Sequence, residues 1–170
     1  MTTWGKRGST PVIKSAGGWK TRTLLGMILY KTKNRSADNY LWIKKKAVRK
    51  EDVLKMLVDL KKKHKYQKFI LLWDGLAAHR AKIVKEFIES NKKWLAVYRF
   101  PAYAPELNPE EYQWSSLKRK DLGNYLPKDM PALEKKVRNG CRRMKRNQEL
   151  LKGFLKKSRL WSAKELGEEQ

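Results

Sequence analysis

Phe69-Ile70-Leu71-Leu72-Trp73-Asp74-Gly75 is an unbroken apolar run that stops at a carboxylate followed by a glycine. A short run without alternation reads as a strand buried on both faces. Asp74 then stands where the strand emerges, and Gly75 permits a sharp turn. Open α/β sheets place their ligand sites at the carboxyl ends of strands. Asp74 therefore has either a chemical role or the plainer one of capping the helix that follows.

Working outward, Val53, Leu54, Leu57 and Leu60 recur at helical spacing and predict a helix over residues 50–63, with lysines on its other face. Ile83, Val84, Phe87 and Ile88 predict a second amphipathic helix that stops near Asn91, and 94–100 reads as another strand. Helix, strand, helix, strand in that order favours parallel strands joined by helical crossovers. Upstream, Thr23 to Tyr30 and Tyr40 to Ile43 read as strands joined by a polar turn at Lys33-Asn34-Arg35-Ser36. Downstream, Asn108-Pro109 places a cap residue before a proline at a helix start. Pro131 opens another helix, whose Leu133, Val137, Cys141 and Met144 form a stripe. A short helix carrying Leu150, Leu151, Phe154 and Leu155 follows Asn147. The expectation is one α/β domain with a core over residues 1–125 and a helical C-terminal portion over 126–170.

Lys and Arg number 41 against 17 Asp and Glu, a net charge of +24 spread along all 170 residues. Such an excess attracts phosphate backbones through counterion release. With 41% apolar residues the chain can still build a core. The single cysteine, Cys141, excludes an internal disulfide, and His64 and His79 alone make a poor zinc set. No apolar stretch is long enough for a membrane span, and Met1-Thr2-Thr3-Trp4 has no signal-peptide pattern. A cytoplasmic, nucleoid-associated protein is expected. RNA binding has no support from an aromatic recognition motif or a GXXG loop.

A second acidic cluster lies in Pro105-Glu106-Leu107-Asn108-Pro109-Glu110-Glu111-Tyr112-Gln113-Trp114. With Asn108 as N-cap, Glu111 falls at the capping-box position, where it would bond back to the Asn108 amide. Glu106 and Glu110 are competing acids. Two carboxylates converging on one sheet edge would suit Mg²⁺ or Mn²⁺, which keep waters and substrate phosphate as further ligands.

Trp73 to Arg80 is similar to the strand-to-helix segment that holds the second catalytic aspartate of DDE transposases. Pro101-Ala102-Tyr103-Ala104-Pro105-Glu106-Leu107-Asn108-Pro109-Glu110-Glu111 resembles the signature around that family's third catalytic acid, with Trp114 and Lys118 following as in the family. Trp4, Gly8 and Thr10-Pro11 also match. The resemblance is to the mariner-like superfamily in its bacterial insertion-sequence branch, over about residues 4–125. It implies an RNase H-like mixed sheet flanked by helices, two Mg²⁺ (or Mn²⁺) ions in a complete enzyme, and DNA cleavage and strand transfer by a homodimer on paired transposon ends. It assigns Asp74 and Glu111 as catalytic and metal-binding acids. His79, carried over from the family's histidine, is expected to contact phosphate or to orient a neighbouring group. Arg80, Lys118, Arg119 and Lys120 are expected along a DNA track, and Trp114 in the core. Arg138, Arg142, Arg143, Lys145 and Arg146, flanking the 133/137/141/144 stripe, read equally as a DNA face or a solvated one.

The resemblance also implies a first aspartate on a first strand upstream of Trp4, and a helix-turn-helix region before it. Only Met1, Thr2 and Thr3 precede Trp4 here, and neither Asp38 nor Asp52 matches the motif. The expectation is a core that lacks its first strand, as a split-frame product, a fragment or a decayed copy. An upstream transposase segment would then supply the aspartate and the helix-turn-helix. The alternative is a non-catalytic, sequence-tolerant DNA-binding remnant.

The charge alone generates one prediction. Affinity for duplex DNA should be tolerant of sequence and fall steeply with salt, with a log–log slope of several units in a titration from low to physiological ionic strength. Replacing Lys118, Arg119 and Lys120 together should reduce both affinity and slope. A flat salt response would remove phosphate contacts as the basis of binding.

Overall fold

A computed structural model describes residues 21–160. The matches at Trp4, Gly8 and Thr10-Pro11 lie outside the described residues. Strands β1 (Thr23–Lys31) and β2 (Ser36–Lys44) form an antiparallel hairpin in which Lys31 pairs with Ser36 and Thr23 with Lys44. Helix α1 (Lys50–Lys63) leads to β3 (Phe69–Trp73), and α2 (Lys82–Ser90) carries the chain back to β4 (Leu95–Arg99). β3 and β4 are parallel, with Phe69 opposite Leu95 and Trp73 opposite Arg99, as a helical crossover requires. Helices α3 (Pro109–Ser116), α4 (Met130–Arg146) and α5 (Gln148–Lys157) complete the described chain. A π-helical turn, Leu117–Asp121, continues α3.

The helix starts follow from their cap residues. Asn108 accepts from the Glu110 amide, Asp129 from Ala132 and Asn147 from Leu150, each satisfying an amide that the first turn leaves without a partner. Pro109 and Pro131 sit where a missing N–H costs nothing.

The expected mixed α/β arrangement is present, with one antiparallel and one parallel strand pair. Among the described residues there are two two-stranded sheets, β1–β2 and β3–β4, and no strand joins them. The hairpin is a wall with helices on both faces, sorted by the two-residue period of strands. Leu25, Met27, Tyr40 and Trp42 pack into one core with α1, α2, β3 and β4. Leu24, Ile28, Leu41 and Ile43 pack into a second core with α3, α4 and α5.

β3 differs from expectation. Phe69, Leu71 and Trp73 join the first core, but Ile70 on the opposite face is 71% exposed. The apolar run is thus covered on one face only, because the helices of the second core pack on β2 rather than on β3. No described helix is long and apolar enough to cross a membrane.

The Asp52 carboxylate accepts from the Arg49 amide at 3.0 Å and pairs with Lys44, tying the start of α1 to the end of β2. The Lys44 hydrogen bond, then the Arg49 amide, hold its carboxyl below the usual range, and burial opposes them more weakly. A depressed carboxylate pKa contributes stability that is present above the unfolded-state value and lost as pH falls through the folded value. Asp52→Asn should therefore cost about 1 kcal/mol at neutral pH and nothing in strong acid. Denaturant unfolding at both pH values measures it, and an equal loss at both would rule out the charge.

Candidate active site

Asp74 leaves the end of β3 with its side chain 62% exposed. One carboxylate oxygen accepts from the Leu76 amide at 3.0 Å, which closes a tight local turn. The His79 Nδ1 lies 3.1 Å from the same oxygen and 3.2 Å from the Asp74 carbonyl. Both partners are acceptors, so Nδ1 carries the proton and donates. The His79 ring is buried and stacks on Trp73 with centroids 4.2 Å apart and planes 3° from parallel. Phosphate contact and orientation of a neighbour were both open to His79, and its ring is held against Asp74. The His79 hydrogen bond keeps the Asp74 carboxyl below its usual range; burial opposes this, and the Leu76 amide adds to it. Asp74 does not cap α2, whose N-cap is Ala81.

Glu111 stands in the first turn of α3. The Asn108 amide donates to the Pro105 carbonyl at 3.0 Å, so the expected back-bond from Glu111 is not made. Its carboxylate has no hydrogen bond or ion pair among the described residues and is exposed. The rest of the helix face is locked. Gln113, fully buried, accepts from Asn39 of β2 at 2.9 Å and donates to Glu110 at 2.9 Å. Asn39 also donates to the Cys141 carbonyl of α4 at 3.2 Å. Gly26 of β1 lies directly beneath: a Cβ there would meet a Glu110 carboxylate oxygen and the Trp114 ring, each at 2.5 Å. Gly26 therefore permits the close approach of α3 to β1.

Glu110 is half-buried as a residue, but one carboxyl oxygen is sealed from solvent with no partner. Burial pushes this carboxyl up to about 8, with the Glu111 charge adding to the effect and the Gln113 hydrogen bond opposing it. Adjacent acids thus differ in surroundings: burial disfavours the charged form of Glu110, while Glu111 stands in solvent.

Asp74, His79, Asn108, Glu110 and Glu111 line one cleft of about 1090 Å³ between β1 and β3. Asp74 and Glu111 offer it hard, oxygen-only donors, the chemistry that suits Mg²⁺ or Mn²⁺. Among the described residues no group of three or more His, Cys, Asp or Glu side chains could hold a metal ion, so the described donor set is partial.

Arg80, Lys118, Arg119 and Lys120 are exposed and lie outside the cleft lining. Trp114 packs against the second core. Asp38 pairs with Lys145 and Asp52 with Lys44, so both acids serve in surface ion pairs. Arg143 makes a two-pronged bond to Asp121 that pins the π turn to α4. The sequence reading missed Gly26 and Gln113. A glycine inside a strand pattern was a usable signal for the first, whereas nothing in the sequence marked the buried glutamine.

A family profile described as DDE superfamily endonuclease matches residues 1–134. No curated protein sequence matches the chain significantly. Among solved structures, the Mos1 strand transfer complex superposes with a TM-score of 0.57 at 14% identity, covering 95% of this chain and 50% of that one. The Mos1 transposase catalytic domain with raltegravir and Mg gives 0.54 at 14% identity, covering 88% and 82%. The Mos1 mariner paired-end complex with Mn gives 0.56 at 15% identity, covering 94% and 51%. The chain spans about half the length of the Mos1 chains in those two complexes. At these identities the likeness is one of fold.

The close approach at Gly26 is directly testable. Gly26→Ala should destabilise the protein by about 1–3 kcal/mol, as overpacking against a helix backed by a buried hydrogen-bonded line does. Chemical denaturation of the variant measures this. An unchanged midpoint would mean that α3 does not sit against β1 as described.

Proposed function

The chain belongs to the DDE superfamily of endonucleases, and we propose that it forms the Asp74–Glu111 part of a mariner-like transposase catalytic domain that cuts and joins DNA strands with Mg²⁺ or Mn²⁺. The observation that carries this reading is the shared cleft: an acid from a strand end and an acid from a helix start, far apart in sequence, line the same space. In this reading Asp74 and Glu111 hold the cations, together with a third carboxylate on a strand upstream of Trp4. When bound, such ions stabilise the attacking and leaving oxygens of a phosphodiester.

The chain's own residues supply the rest. His79 and the Leu76 amide orient Asp74 and keep it ionised. The Asn39–Gln113–Glu110 line fixes α3, so that Glu111 projects from a rigid base. Arg80, Lys118, Arg119 and Lys120 supply exposed positive charge for the DNA backbone. Helices α4 and α5 pack on β2, which favours treating residues 126–170 as part of the same domain. Mos1 is seen in strand transfer and paired-end complexes, which supports DNA as the partner, and a homodimer on paired ends is the assembly that the family resemblance implies.

Nicking of supercoiled plasmid tests the assignment. A chain extended upstream of Met1 by the aspartate-bearing strand should nick in Mg²⁺ or Mn²⁺, and Asp74→Ala or Glu111→Ala should each reduce the rate by at least about 100-fold. His79→Ala should lower the rate less and shift the acid limb of the pH–rate profile upward, because Asp74 loses the bond that favours its ionised form. Cleavage that survives Asp74→Ala in a folded protein would overturn the site. DNA binding without nicking in the extended chain would leave the non-catalytic DNA-binding reading standing.

A further inference from the structure

The segment that joins the two site acids is a built loop. The Phe100 amide donates at 2.9 Å to the carbonyl of Trp73, the residue before Asp74. At its other end the loop runs into Asn108, which caps the helix that bears Glu111. Between them, Pro101 and Pro105 fix their own φ angles. The Leu107 amide donates to the Ala104 carbonyl at 3.2 Å, and the Tyr112 hydroxyl donates to the Glu106 carbonyl at 3.0 Å. Residues 101–107 therefore bridge the Asp74 side of the cleft and the Glu111 side.

Tyr103 stands in the middle of that bridge and is anomalous in two ways. Its φ is 58°, in the left-handed region that disfavours a bulky side chain. The residue is also 102% exposed, and its side chain makes no hydrogen bond or ring contact among the described residues. Packing neither offsets the backbone cost nor hides the ring. Strain of this kind gathers at functional positions.

What the ring can bind follows from its surroundings. Both of its faces are open, and its chain neighbours Pro101 and Ala102 are exposed as well. A protein hot spot is surrounded by contacts that exclude water, and none stand around Tyr103. A flat base needs only an open aromatic face. Paired bases stack on one another, so the matching partner is a base free of its duplex. Charge for its backbone stands at the same edge. Arg99 ends β4 opposite Trp73, is exposed, and has no ion pair among the described residues. Tyr103 lies three residues beyond Phe100, a reach of at most about 11 Å. A strand with its phosphate at the acids meets the ring roughly three nucleotides on.

We propose that Tyr103 stacks on an unpaired base of the strand held at Asp74 and Glu111, with Arg99 on the backbone that leads to it. The inference rests on the reading above that the cleft acts on DNA. Its new content is that the site favours a splayed end over intact duplex, and that one ring supplies the preference.

The test measures binding of the full 170-residue chain by fluorescence anisotropy, without divalent metal. Physiological ionic strength is used, where phosphate contacts are weakened. Two probes share one duplex; one is blunt and the other carries about three unpaired nucleotides at one end. The tailed probe should bind more tightly. Tyr103→Ala should remove that advantage, lowering tailed affinity by about 5- to 100-fold and leaving blunt affinity unchanged. Tyr103→Phe should keep it, because the ring face and not the hydroxyl makes the contact. Arg99→Ala should weaken both probes alike and reduce the salt slope by about one. Tyr103→Asn should lose the advantage yet hold or raise the denaturation midpoint, since asparagine tolerates the left-handed region. A lower midpoint would assign Tyr103 to the fold and overturn the proposal. So would equal binding of both probes by the parent chain, equal weakening of both by Tyr103→Ala, or loss of the advantage in Tyr103→Phe. Self-association that Tyr103→Ala abolishes would give the ring to a second copy instead. An unchanged salt slope in Arg99→Ala would remove Arg99 from the contact. Each of these outcomes leaves the DNA reading intact, whereas a parent chain that binds neither probe would overturn both.

Discussion

The hydrogen bonds through Gln113 hold the candidate site in place. The side chain has no solvent to fall back on, so its amide must find an acceptor and its carbonyl a donor. Asn39 of β2 and Glu110 of α3 fill those roles, and Asn39 reaches on to α4. The result is a short polar line through an otherwise apolar interface, which admits one register of α3 against the hairpin and no other. A slide by one residue would bury the line without partners and drive the Trp114 ring off Gly26. The direction in which Glu111 points is a consequence of that register.

The electrostatics of the two acids in the cleft follow from how each is held. Asp74 is exposed, but a histidine and a backbone amide stabilise its charge. Glu111 is exposed and keeps its freedom. Glu110 beside them has one carboxyl oxygen sealed from solvent, and burial disfavours its charged form. Carboxylates gathered at one cleft, within a chain of net charge +24, concentrate what little anionic potential the surface carries.

Much of the fold was readable because helical and strand periods are local. Val53, Leu57 and Leu60 of the α1 stripe, the crossover around α2, the cap at Asn108 and the helix start after Asn147 stand as the residues suggest, with Met56 rather than Leu54 completing the buried face of α1. β2 runs longer than Tyr40 to Ile43, since Ala37 and Asn39 extend the inward face with a small residue and a polar one that no hydrophobicity pattern would flag. The run Phe69 to Trp73 misled, because an apolar strand with one uncovered face is indistinguishable from one covered on both. At the candidate site, the strand-end place of Asp74 and the first-turn place of Glu111 were legible through chain punctuation. The clamp of His79 between Trp73 and Asp74 was not, since a ring stacking on its neighbour's strand residue is a product of tertiary packing. Gln113 was invisible for the same reason.

The hairpin wall bears on how the molecule comes apart. Its two faces support two cores that share the hairpin and few other contacts. Loss of α4 and α5 would strip one face and leave the α1–α2 side largely intact, and the reverse also holds. Such an arrangement divides the chain into two cooperative units whose opening free energies need not coincide. The hairpin, supported from both sides, is the last segment to lose protection. Unfolding would then depart from an all-or-none transition, and a single midpoint would average over two events that meet only at β1 and β2.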